Sequence, residues 1–123
     1  MKGRGRPGGD MRREAWRTLS FTIKEPASLD KVPLHIFPGS IRIRRVSAVA
    51  VGTTPSAPIT LKHGPVFDGA GEAEVASITA DSTTPEHSYV DTASSEDSIL
   101  WAVFGSLTGT VDYVAVTIAY EFY

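Results

Sequence analysis

Apolar residues in this chain recur at every second position, in short runs cut by Gly, Pro, Ser, Thr and Asp, and no long stretch carries helical spacing. Leu19, Phe21 and Ile23 alternate with Ser20, Thr22 and Lys24, the pattern of a strand with one buried face, which Pro26 ends. Leu34 to Phe37 is a short apolar run bordered by Pro33 and Pro38, so it is expected at an edge or corner of a sheet. Ile41 and Ile43 share one parity, whereas Val46, Ala48 and Ala50 take the other; a bulge near Arg44 and Arg45 would restore the register. Further strands are predicted at Ala57 to His63, Glu74 to Thr79, Glu86 to Asp91, Ser98 to Phe104 and Thr110 to Phe122. Turn-rich segments separate them, Gly52 to Pro55 and Gly64 to Gly71 among these, and Leu107 to Thr110 reads as a hairpin tip joining the last two strands. The last strand is apolar on both faces and is expected to be central or covered. About eight short strands predict an all-β fold, an antiparallel β-sandwich of jelly-roll or related Greek-key type, with an immunoglobulin-like topology as the alternative.

A chain of 123 residues suffices for one such domain, and the absence of cysteine excludes disulfides, thiol catalysis and thiolate metal sites. No run approaches the roughly 18 apolar residues of a membrane helix, and the basic, Gly-rich start lacks the apolar segment of a signal peptide. A soluble, unprocessed protein with no membrane partner is expected. The charge is unevenly spread. Residues 1–17 hold six basic and two acidic side chains, a net of +4, within a chain of net charge −2, so the remainder is acidic. Gly3, Gly5, Gly8 and Gly9, with Pro7 among them, disfavour a helix before Asp10, which could cap one or two turns through Met11 to Ala15. The chain therefore divides into an extended basic arm, 1–15, and a β-sandwich domain, 16–123. Drawn out, the arm spans about 50 Å, enough to reach a neighbouring molecule.

Catalytic constellations are not evident. His87 and Asp91 share a strand face but lie about 13 Å apart, too far for one metal ion. Ser88 points away from its neighbour His87, so adjacency makes no nucleophile and base pair. His35 and His63 read as surface or hydrogen-bonded side chains, and the acidic pairs near Glu72 and Glu96 read as solvated loop residues. No glycine loop with a following lysine opens a helix, which argues against nucleotide chemistry. No catalytic residue, metal site or cofactor is assigned, and the chain is not expected to be an enzyme. Trp101 reads as core; Trp16 marks the junction of arm and body.

The candidate binding residues are therefore the arm's Lys2, Arg4, Arg6, Pro7, Arg12 and Arg13, its root at Trp16 and Arg17, and, on the body, Arg42, Arg44 and Arg45. Arg4-Gly5-Arg6-Pro7 resembles the core of an AT-hook, whose arginines enter the minor groove of A·T-rich DNA, although Gly8, Gly9 and Asp10 replace the usual basic residues after the proline. Docking of the arm on a partner protein is preferred to DNA binding.

Ile41 to Val51 leading into Gly52-Thr53-Thr54-Pro55-Ser56, then Thr60-Leu61-Lys62-His63, Trp101 and Thr108-Gly109-Thr110-Val111, are similar to small β-sandwich proteins encoded among the structural genes of tailed bacteriophages. These are strand and turn patterns, none of them catalytic, spread from about Phe21 to the C-terminus. The resemblance implies a virion component, made in the host cytoplasm and placed on the capsid surface. The favoured type within that class is a decoration or cement protein that binds the major capsid protein as a homo-oligomer, often a trimer, and stabilises the shell. The arm's arginines would then clamp neighbouring subunits by charge-assisted bonds to carboxylates. The alternatives are a neck, tail or head fibre component that binds host glycan and, further off, a DNA-binding protein using the arm.

Overall fold

The computed structural model describes residues 16–82 and 85–122. The arm, with its expected cap at Asp10, lies outside them. Among the described residues seven antiparallel strands follow one another: β1 (Arg17–Lys24), β2 (Lys31–Ile36), β3 (Ile41–Gly64), β4 (Ala73–Asp81), β5 (Glu86–Ser94), β6 (Ile99–Phe104) and β7 (Thr108–Phe122). They form one curled sheet, an all-β antiparallel sandwich of jelly-roll-like type.

The curl comes from β3. Its first half pairs with β7 on one side and β5 on the other, and its second half pairs with β6 and β4. One strand thus serves two layers, β1-β7-β3-β5 and β2-β6-β3-β4. The turn expected at Gly52 to Pro55 is instead the corner inside this 24-residue strand, where the pairing with β7 shifts between Val51 and Gly52 and again between Thr53 and Ser56. Gly52 is required there: a Cβ would stand 1.9 Å from the Thr110 carbonyl oxygen.

The hairpin expected at Leu107 to Thr110 does not form. β6 pairs with β2 and β3 in one layer and β7 with β1 and β3 in the other, so Gly105 to Leu107 carries the chain between layers. Gly109 passes so close to the β3 corner that a Cβ would lie 2.1 Å from the Thr54 carbonyl oxygen, and its φ is +70°. Its conformation serves a crossing of two strands rather than a two-residue turn.

Alternation fixes the interior. Val46, Ala48 and Ala50 of β3 lie in register with Ile118, Val116 and Val114 of β7, and all six are buried. From the second layer Ile59, Leu61, Leu100, Ala102 and Phe104 meet them in one hydrophobic cluster. Burying each of the valines, isoleucines, leucines and the phenylalanine among these stabilises the fold by about 1.5–3 kcal/mol. β7 is central, one of the two positions its apolar faces allow, and β2 is an edge strand, a position that tolerates Pro33. Rings close the side where β1 and β2 approach: His35 packs against Phe21 and Phe37, and Phe37 against Tyr120.

Trp101 is fully buried but not in that cluster. It pairs in register with Lys62, on the parity opposite to Leu100 and Ala102, and so faces outward from its layer. The loop between β3 and β4 folds over it. Phe67 meets the indole edge-on at 5.5 Å, and ion pairs from Lys31 to Asp68 at 2.8 Å and from Lys62 to Glu72 at 3.0 Å strap the loop down.

Candidate interaction face

The outer surface of the β1-β7-β3-β5 layer gathers Trp16, Arg42, Arg44 and Arg45 of the candidate set, but not Arg17. In a regular strand Arg42 and Arg44 would face outward and Arg45 inward. The bulge expected at this point is present: on β7, Ile43 pairs with Tyr120 and Arg45 with Ala119, leaving Arg44 as the extra residue. Arg45 is thereby turned to the same outer face, while Val46 resumes the inner parity. Three guanidinium groups leave one short segment in one direction.

Two of them are held by carboxylates from the flanking strands. Arg42 Nη1 donates to Asp91 Oδ1 at 2.6 Å, Arg44 Nη1 donates to the same oxygen at 3.1 Å, and Arg44 Nε lies 3.3 Å from Glu121 Oε2. The Arg42 hydrogen bond, helped by the charge of both arginines, lowers the Asp91 pKa from its ordinary value. The Asp91 side chain remains 64% exposed, so these pairs organise the surface more than they stabilise the fold. Arg45 has no carboxylate partner among the described residues.

Trp16 lies on the same side. The Arg44 guanidinium stands 5.7 Å from the centre of its ring, within cation–π range, and among the described residues the indole Nε1 is buried without a hydrogen-bond partner. Arg17, on the opposite parity of β1, sits 5.1 Å from the centre of the Phe122 ring. The arm therefore joins the body beside the arginine bulge. Lys2, Arg4, Arg6, Pro7, Arg12 and Arg13 fall outside the described residues.

Farther along the same face a row of polar side chains crosses all four strands. Ser20, Thr117, Ser47 and His87 are successive partners in register. Ser20 Oγ lies 3.0 Å from Thr117 Oγ1, and Ser47 Oγ lies 2.7 Å from His87 Nδ1. The row was not legible in the sequence, because it depends on the register of four strands drawn from both ends of the chain. Asp91 and Glu121 were missed as partners of the arginines for the same reason.

The other two histidines sit elsewhere. His35 lies among aromatic rings, and His63 Nδ1 is 3.0 Å from the Oγ of the buried Ser94, a link between the second half of β3 and the end of β5. Burial lowers the His63 pKa from its ordinary value. Among the described residues no three His, Asp or Glu side chains come together as a metal site, and no helix is long and apolar enough to cross a membrane.

No protein-family model and no curated protein matches the chain. Solved structures do match it in fold. A chain in the acidic stable capsid structure of Helicobacter pylori bacteriophage KHP30 superposes with a TM-score of 0.57 at 13% identity, over 89% of this chain and 88% of that one. PirA matches with a TM-score of 0.49 at 13% identity, over 82% of this chain and 92% of its own. The N-terminal cellulose-binding domain of Cellulomonas fimi β-1,4-glucanase C gives 0.49 at 15% identity, over 89% and 90%.

Proposed function

We propose that this chain is a structural, non-enzymatic component of a bacteriophage virion, a decoration or cement protein that binds the major capsid protein at the outer shell as a homo-oligomer, with a trimer as the favoured state. The observation that carries this reading is the convergence of Trp16, Arg42, Arg44 and Arg45 on one sheet face at the point where the basic arm begins. A rigid cationic and aromatic patch at the root of a segment bearing Lys2, Arg4, Arg6, Arg12 and Arg13 suits an extended acidic surface, on which arm and patch act together. The likeness in fold to a chain of a phage capsid structure supports the same assignment.

Gradient sedimentation of a native phage lysate tests it, with full-length protein and a form lacking Met1 to Ala15 followed in the fractions. Full-length protein is expected to travel with the heads and the shortened form to stay near the top. If both stay near the top, capsid binding is overturned; if both travel with the heads, the clamping role of the arm is.

A further inference from the structure

Over the polar row, and bordered on one side by the arginine bulge, the outer face sinks into an open pocket of about 280 Å³. Arg45, Ser47, Thr117 and His87 supply its polar groups, and Val49 and Ala115 line it with apolar surface. We propose that this pocket binds the carboxylate of a glutamate or aspartate side chain presented by an acidic segment of a partner protein. The inference does not depend on that partner being a capsid.

Charge singles out Arg45. Its neighbours Arg42 and Arg44 are engaged by Asp91 and Glu121, whereas Arg45 meets no carboxylate among the described residues and opens onto the pocket. A guanidinium fork matches a carboxylate with two parallel hydrogen bonds. The hydroxyls of Ser47 and Thr117 stand beside it, each able to donate to a ligand when His87 Nδ1 and Ser20 Oγ, respectively, donate to them. Ser47 is already in contact with the His87 ring, which holds both side chains in place before anything binds. Pre-organised donors lose less freedom on binding than mobile ones.

Size and surroundings favour a protein side chain. The volume is just under the roughly 300–1,000 Å³ of pockets that take drug-sized molecules, and it suits one side chain whose methylenes lie on Val49 and Ala115 while its carboxylate meets Arg45. Tyr89 pairs with Arg45 across the strands and is 71% exposed. An arginine flanked by an exposed tyrosine is the composition found at the energetic centres of protein interfaces. One cation with no carboxylate partner among the described residues balances one carboxylate; a phosphomonoester, with nearly two charges, would leave negative charge uncompensated.

NMR titration of the full-length protein with the capped peptide acetyl-Gly-Glu-Gly-amide, against its Gly-Gln-Gly counterpart, tests the site. The glutamate peptide is expected to shift the resonances of Ser47, His87 and Thr117, and the glutamine peptide to leave them unmoved. Arg45→Ala should weaken binding about tenfold or more, and Arg45→Lys, which keeps the charge but not the fork, should weaken it by less. Lys24→Ala should change nothing. Dispersed spectra of both Arg45 variants establish that they are folded. Equal shifts with the glutamine peptide, undiminished binding in folded Arg45→Ala, or shifts confined to surface lysines would overturn the proposal. So would binding of N-acetylneuraminic acid at Arg45 in the absence of glutamate-peptide binding. None of these results alters the capsid sedimentation outcome, so the two readings fail separately.

Discussion

At the scale of single residues, two titrating groups give opposite chemistry but the same direction of pH response. Burial lowers the His63 pKa, so between its folded value and the ordinary value of 6.5 the unfolded chain binds more protons than the folded one. Stability from this source is complete above the unfolded value and is lost as pH falls through the folded value. The urea midpoint of the wild type should therefore drop between pH 7.5 and pH 5, and His63→Gln, which can still hydrogen-bond Ser94, should flatten that drop. An unchanged slope in the variant would refute the assignment. Asp91 acts in a more acidic window. Its pKa is lowered by the Arg42 hydrogen bond, so its pairing persists above the ordinary carboxylate value and is lost as pH falls through the lowered one. Replacing Asp91 by Asn should reduce the dependence in that acidic range slightly and leave the His63 component intact, as paired denaturation curves would reveal.

At the scale of elements, the crossing of β7 over the β3 corner is the most demanding contact. Gly109→Ala places a methyl group against the Thr54 carbonyl in a backbone conformation with φ of +70°, and should cost roughly 1–3 kcal/mol or more in urea unfolding. A loss under 0.5 kcal/mol would mean that the corner is not held as described. The β3–β4 loop makes a second prediction. In a Trp16→Phe background, Phe67→Ala should uncover Trp101, red-shifting its emission, raising its acrylamide quenching and lowering stability by about 1–2 kcal/mol. Unaltered emission would show that the ion pairs from Lys31 and Lys62 hold the cover without the ring. These elements also mark what could be read from the sequence. β1 and β7 announced themselves by period-two alternation and β2 by an apolar run between prolines, β3 was read as two strands, and the parity change from Ile43 to Val46 located the bulge. Gly52 to Pro55 and Leu107 to Thr110 misled because Gly, Pro and Thr signal a change of direction without specifying whether a strand ends or bends. The position of Trp101 depended on a cover supplied by the β3–β4 loop, which local alternation does not encode.

At the scale of the whole molecule, the fold class was legible because a chain this size with alternating strands has few ways to bury one face of each. The arginines were legible as candidates, but their common face required the bulge, and their carboxylates came from strands remote in sequence. The oligomeric proposal is tested here too. Sedimentation equilibrium of the full-length protein should give a trimer, and a monomer throughout the micromolar range would remove that state. Finally, β7 lies between β1 and the first half of β3, pairing Tyr120 with Arg17 and with Ile43. During synthesis β1 and that half of β3 thus emerge long before the strand that joins them. The Leu19, Phe21 and Ile23 stripe has to wait for almost the whole described chain before its layer can close, which makes slow folding and exposure to aggregation inherent in the order of the strands.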